Sequence, residues 1–158
     1  MRHPTPTTTD ETAPFWQGAG EGALVLPRCT GCGRWRWPVA SACPGCGAPL
    51  HWAPASGLGT VLTFTVVHRA ASDALAADVP YVVALVALDE GVRLLSNVVG
   101  CAPSEVSAGR RVRVAFEPAE HSGIMVPVFV VCEPAGPTRC AEDGATYVTY
   151  HRLEPHER

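Results

Sequence analysis

The sequence predicts a mainly β chain: a short helical segment, then a small ribbon closed by cysteine-bound metal, then a five-stranded barrel. Three observations lead there. Fifteen Gly and fifteen Pro in 158 residues interrupt the chain too often for long helices. Four of the seven Cys stand in two C-x-x-C pairs. Beyond Gly57 the apolar residues recur with a period of two rather than 3.6. A composition of 47% hydrophobic and 17% charged residues describes a globular chain too apolar for disorder, and its length supports one main core.

The elements follow in order. Residues 1–13 are a Pro/Thr tract without apolar periodicity, read as a disordered arm. Residues 14–27 form a short helical segment, with Phe15, Trp16, Ala19, Ala23 and Val25 only loosely at helical spacing. Gly18, Gly20 and Gly22 weaken it by about 1 kcal/mol each, so it needs a partner surface. Gly18-x-Gly20-x-x-Ala23 matches a dinucleotide-binding fingerprint in form, but no strand precedes it and no βαβ unit follows, so that reading is rejected. Residues 28–53 are the four-cysteine ribbon, and the run Ala53-Pro54-Ala55-Ser56-Gly57 marks a seam.

Residues 57–132 are the barrel. Its strands are read at Val61 to Val67, Tyr81 to Leu88, Val92 to Val99, Val112 to Phe116 and Val126 to Val131, with a turn at Asp89-Glu90-Gly91. Between the third and fourth strands, Cys101 to Val106 offers one or two helical turns that Ser104 could cap. Five strands with a short helix between the third and fourth is the layout of an OB-fold. Residues 133–158 are a C-terminal extension that opens on the breaker cluster Glu133-Pro134-Ala135-Gly136-Pro137 and includes a candidate last short strand, Tyr147 to Tyr150.

Cys29, Cys32, Cys43 and Cys46 carry the clearest chemistry. Two residues between sulfurs let one tight turn aim both at a single ion, and Gly31, Gly33, Gly45 and Gly47 let backbone N–H groups approach the thiolates. Tetrahedral zinc suits this set, and iron in a rubredoxin-like site uses the same geometry. Four protein ligands leave no open position for water, so the site is structural. The ten residues between the pairs leave room for a small hairpin across Arg34 to Ala42. Cys101, Cys132 and Cys140 are read as core or loop thiols.

Charge narrows the function. The net charge is −3, with 12 Arg, no Lys and 15 acidic residues, which argues against a general phosphate-backbone binder. The longest apolar run, Tyr81 to Leu88, is too short to span a bilayer, and no secretory h-region opens the chain, so a cytoplasmic protein is expected. No G-x-S-x-G, Walker A or H-E-x-x-H motif is present. Glu117 and Glu120 beside His121 are the best acid/base candidates, though Pro118 and Gly123 place them in a solvated loop; His68 with Asp73 and Asp78 is weaker. The chain is therefore not expected to be catalytic alone.

All four Trp lie in or beside the ribbon, at Trp16, Trp35, Trp37 and Trp52, and so small a ribbon has too little core to bury them all. They either pack against the barrel and helical segment or form a protein interface, where Trp and Arg are enriched. Arg28, Arg34 and Arg36 have no acidic neighbour from Arg28 to Trp52, which makes this face locally cationic. A ribbon-plus-barrel module for single-stranded nucleic acid is the alternative of a different class. It would need aromatic platforms on the second and third strands, where only Tyr81 is found.

A set of motifs resembles one family. Phe15-Trp16 leads through a Gly-rich stretch to Leu26-x-Arg28-Cys29-x-x-Cys32-Gly33; Trp37-Pro38, Cys43-Pro44-x-Cys46-Gly47 and Trp52 follow. Ser56-Gly57-x-Gly59-Thr60-Val61, Val66-Val67-His68-Arg69, Pro80-Tyr81 and Leu88-Asp89-Glu90-Gly91-Val92 complete the set over residues 13–131. These are similar to the zinc-ribbon and OB-fold proteins of domain of unknown function 35, also called acyl-CoA-associated. The resemblance implies a rubredoxin-like zinc ribbon and an accessory subunit in a hetero-oligomer with a thiolase-superfamily enzyme. That partner makes or breaks carbon–carbon bonds on CoA thioesters as a thiolase, retro-aldolase or C-acyltransferase, and holds the catalytic residues. On this reading Phe15, Trp16, Trp35 and Trp37 form the docking surface. Acyl-CoA lies at or near the interface, with Arg36 and Arg69 as candidates for its phosphates. The family often has Pro-Arg where this chain has Pro38-Val39.

Overall fold

The computed structural model describes residues 2–70 and 75–132. Helix α1 (Ala13–Gly20) leads into a two-stranded antiparallel sheet of β1 (Val25–Cys29) and β2 (Leu50–Pro54). A closed barrel follows, made of β3 (Leu58–Val67), β4 (Tyr81–Leu88), β5 (Arg93–Val99), β6 (Arg111–Pro118) and β7 (Met125–Val131). Around the barrel the order is β3-β4-β5-β7-β6, with β3 returning to β6 and a parallel β5–β7 pair, the closure of an OB-fold. The chain is mainly β with an N-terminal helix, as the sequence predicts.

Alternation explains the barrel core. In β4, Val82, Ala84, Val86 and Leu88 are buried while the residues between them are half-buried. Val61, Leu94, Val98, Val112 and Phe129 join them inside. In β3 the pairing slips by one residue between Val61 and Thr63, and Leu62 at this bulge is left 42% exposed. β7 departs from alternation: Pro127 to Val130 are all buried, because α1 packs on this strand. Gly57 joins ribbon to barrel at φ +72°, and a Cβ there would overlap the Val114 side chain.

β4 has the expected limits, and the other barrel strands differ from theirs by one to three residues, the largest difference being β3, which begins at Leu58. Four local expectations are corrected. The helical segment expected over 14–27 ends at Gly20, and Val25 to Pro27 belong to β1, where pairing with β2 overrides their loose helical spacing. The stretch 34–42 forms no hairpin; its one ladder contact is an isolated antiparallel bridge between Trp35 and Arg28, and β1 instead pairs with β2 across the knuckles. The turn after β5 is a 3-10 turn at Pro103–Glu105, capped by the Glu105 carboxylate, which accepts the Ala102 N–H at 2.6 Å, and not by Ser104. The arm expected to be disordered is seated on the barrel. His3 is 3% exposed, its Nε2 lies 2.7 Å from Glu117 Oε2, and its carbonyl accepts the Glu120 N–H at 2.8 Å. Arg2 pairs with Asp78, and the Thr5 hydroxyl donates to the Glu120 carbonyl. A tract without periodicity is held here by polar contacts, which pattern reading does not detect. The C-terminal extension, residues 133–158, with the short stretch Tyr147 to Tyr150, lies outside the described residues.

Candidate functional site

β1 delivers Cys29 at its last residue, and the chain then turns so that Gly33 N–H bonds the Cys29 carbonyl at 3.0 Å. The second knuckle repeats this, with Gly47 N–H on the Cys43 carbonyl at 2.8 Å. Gly33 and Gly47 sit at φ +69° and +74°, the left-handed turn that closes each knuckle. The four sulfurs converge: Cys29 Sγ lies 3.4 Å from Cys46 Sγ, Cys32 Sγ lies 3.7 Å from Cys43 Sγ, and all four are within 4.8 Å of one another. Sulfurs at about 2.3 Å from a shared tetrahedral zinc would be about 3.8 Å apart, so the donor set fits that ion. Cys29 and Cys43 are each 2% exposed, while Cys32 and Cys46 lie on the surface.

The environment prepares thiolates unevenly. The Gly45 N–H, against burial and with help from the Arg36 guanidinium, brings Cys43 down to about 6. The Cys32 N–H, 3.4 Å from Cys29 Sγ, leads the lowering at Cys29. Cys46 is lowered by the Ala48 N–H, but hydrogen bonding with Cys29 and Cys32 outweighs this and pushes it up to about 11. Without a cation the cluster does not hold four thiolates together; a divalent ion supplies the missing charge, and with four sulfurs it has no open position for a reacting water.

The aromatic residues form a corner where α1 meets the ribbon. The Phe15 ring sits 4.9 Å from Trp16, edge-on, and 4.7 Å from Trp37. Phe15 itself is only 4% exposed, so its part is to support the half-buried Trp16 and Trp37 rather than to present a surface. Trp35 is half-buried, with the Arg28 guanidinium 5.3 Å above its ring. The indoles of Trp16, Trp35, Trp37 and Trp52 pack against the core, and each keeps an exposed portion.

The two guanidiniums considered for phosphate differ. Arg36 is turned onto the ribbon, with Nη2 3.5 Å from Cys43 Sγ and Nη1 3.4 Å from the Trp35 carbonyl. These contacts turn its charge toward the cysteine cluster. Arg69 is exposed in the loop after β3. The acid/base candidates do not assemble a site. His3 holds Glu117 below its ordinary value of 4.5, whereas a general acid at neutral pH needs the opposite shift. His68 is exposed, Asp78 pairs with Arg2, and Asp73 lies outside the described residues. Cys101 is half-buried and free; Cys132 is disulfide-bonded, which corrects its reading as a thiol, and Cys140 lies outside the described residues. Among the described residues no helix is long and apolar enough to cross a membrane.

Sequence reading missed the His3–Glu117 contact and the bidentate pair of Arg111 with Asp89, at 2.7 and 2.8 Å. It also missed the alignment of His51, Arg28 and Trp35 across β2, β1 and the bridge. Each joins residues distant in sequence, and no local spacing announces it.

Comparison with known proteins agrees with this architecture. Residues 16–51 match the family model of the ChsH2 rubredoxin-like zinc ribbon domain, and residues 52–117 match the ChsH2 C-terminal OB-fold domain. The chain is 36% identical over 128 residues to a protein described as a probable enoyl-CoA hydratase alpha subunit of Thermomonospora curvata; the match takes in 80% of this chain and 39% of that relative's length. It is 34% identical to a DUF35 domain-containing scaffold protein of Methanocaldococcus jannaschii, over 63% of this chain and 72% of the relative. Among solved structures, a chain of the Ltp2-ChsH2(DUF35) aldolase superposes with a TM-score of 0.72 at 34% identity, covering 80% of this chain and 98% of that one.

Proposed function

Because the chain belongs to the DUF35 family of ChsH2-like proteins, a rubredoxin-like zinc ribbon followed by an OB-fold barrel, we propose that it is a non-catalytic accessory subunit of an enzyme acting on acyl-CoA thioesters. The partner is a thiolase-superfamily subunit that makes or breaks carbon–carbon bonds and holds the reacting groups. This chain docks on it in a hetero-oligomer and helps form the acyl-CoA site at or near the interface. Zinc in the four-cysteine cluster shapes the ribbon and takes no part in turnover.

The observation that carries this reading is the aromatic corner: Trp16 and Trp37, braced by buried Phe15, keep part of their rings on the surface beside Trp35 and Arg28. Trp and Arg in that setting are the residues that dominate binding at protein interfaces. The relatives add the chemical class, since one is described as an enoyl-CoA hydratase subunit and another is part of an aldolase assembly. Arg69, exposed beyond β3, is the guanidinium that this reading assigns to a CoA phosphate.

The test is to tag the full chain in its source cell, purify it in mild salt and identify its stoichiometric companion by mass spectrometry. A thiolase-fold enzyme is expected. Trp16→Ala and Trp37→Ala should each weaken the complex about 30-fold or more, the loss of a hot spot worth about 2 kcal/mol, with one metal ion per chain retained. Undiminished binding removes those residues from the surface. Recovery of nucleic acid alone, released steeply by salt, would favour the single-stranded nucleic-acid module instead.

A further inference from the structure

We propose that the ribbon's outer face, centred on Arg28 and Arg34, is built to receive an acidic protein surface of the partner enzyme. This rests on the subunit reading above and adds to it the chemistry of the contact.

The charge is unevenly distributed. From Gly22 to Ser72 the sequence has four Arg and no Asp or Glu, while the rest has eight Arg and fifteen acids; the formal charges are +4 and −7. In a protein of net charge −3, three of these four Arg, Arg28, Arg34 and Arg36, lie in the ribbon, and the fourth, Arg69, in the barrel loop after β3. The cysteine cluster absorbs only part of this, and through Arg36, whose Nη2 lies on Cys43 Sγ. Arg28 and Arg34 are both exposed, and among the described residues neither is paired with a carboxylate.

The backbone lines these groups up. Arg28 stands opposite His51 in the β1–β2 register and opposite Trp35 in the isolated bridge, so His51, Arg28 and Trp35 form one row across the ribbon. The Arg28 guanidinium lies over the Trp35 ring while its Nε–H bonds the Gly33 carbonyl at 3.1 Å, and these two contacts fix its direction. Arg34, next to Trp35, flanks the row. The arrangement is a cationic strip beside an indole, spread along a small sheet. A phosphate site gathers donors around one point, commonly backbone N–H groups at a helix start or nest. A strip of Arg and Trp suits the wider distribution of carboxylates on a protein surface. Exposed charges of this kind act mainly on the rate of encounter and are screened within about 10 Å at ordinary salt.

The experiment takes the purified full chain and the enzyme that co-purifies with it, and measures association and dissociation rates at low and high salt. For the parent chain, association should slow at least about tenfold on going from about 50 to 500 mM salt. Arg34→Glu should slow it about tenfold at low salt, flatten the salt dependence and leave dissociation nearly unchanged. Arg34 is exposed with no side-chain partner among the described residues, so metal content and melting should stay at parental values. Arg28→Gln gives a second, milder loss of charge. Unchanged association and salt dependence in both variants overturn the proposal; if that complex still breaks with Trp16→Ala and Trp37→Ala, the subunit reading survives. Free CoA competing for binding in an Arg34-dependent way overturns it in favour of a phosphate site. Absence of any enzyme partner at either salt overturns both.

Discussion

Removing the metal should separate the two halves of the molecule, and the size of the effect follows from what is buried in each. Beyond two of the cysteines, the ribbon sheet and its approach bury few large apolar side chains, chiefly Leu24 at 3% and Leu26 at 0% exposed. Two such residues contribute about 3–6 kcal/mol. A structural zinc site contributes about 10–16 kcal/mol. The ion therefore outweighs local apolar burial severalfold, and residues 25–54 should unfold when it is lost. The barrel has its own core of Val61, Val82, Ala84, Val86, Leu94, Val98, Val112 and Phe129, so it should remain. Trp35, Trp37 and Trp52 lie in the ribbon and Trp16 on α1, so intrinsic Trp fluorescence reads the ribbon and its helix and not the barrel. Hydrogen exchange by mass spectrometry, before and after complete chelation, should show amides such as Cys29 and Cys43, bonded to the Arg34 and Ala48 carbonyls, losing protection while β4 and β6 keep theirs. Fluorescence and ribbon protection that survive full removal of the metal would refute the reasoning.

Two further changes test the barrel. Gly57→Ala combines a positive φ with overlap on Val114 and should cost roughly 2–5 kcal/mol in denaturant unfolding; a cost below 1 kcal/mol would mean that the seam moves easily. The His3 contact should make stability pH-dependent. The His3 hydrogen bond, against burial, lowers the Glu117 carboxyl from 4.5, so its contribution is complete above that pH and is lost as pH falls through the depressed value. Glu117→Gln should lower the melting temperature near neutral pH and reduce the slope of melting against pH on the acid side. An unaltered slope would show that the arm contributes no linkage.

What could be read from the sequence was local. The cysteine pairs declare the metal site because two-residue spacing acts within one turn, and the glycines after them mark the φ that the turns need. Tyr81 to Leu88 declares β4 as a short, β-branched-rich apolar run bounded by Pro80 and the Asp89-Glu90-Gly91 turn, and the structure buries every second residue of it. β2 was hidden: His51 and Pro54 break its apolar pattern, and it is a strand because its backbone pairs with β1 through Arg28 and Val25. The aromatic residues proposed for docking stand out in the sequence as a set, but their individual placements do not. Nothing in the spacing of Phe15 and Trp37 indicates that their rings meet at 4.7 Å, or that this contact buries the Phe and leaves the Trp at the surface. Arg36 shows the same limit, since its place beside Cys43 depends on a chain reversal that local pattern does not encode.

Helix α1 joins these parts mechanically. One side meets the ribbon, where Gly18 lets the helix come so close to Val25 that a Cβ would overlap it. Another side covers β7, which is why four consecutive residues of that strand are buried. Phe15 and Trp16 sit on this helix and Trp37 in the ribbon, so a partner holding the two indoles holds both elements at once. The metal fixes the ribbon and the helix ties it to the barrel. A protein whose four-sulfur site leaves the ion no vacancy for chemistry can still act on a reaction in this way, by presenting a rigid edge against which another subunit's active site is completed.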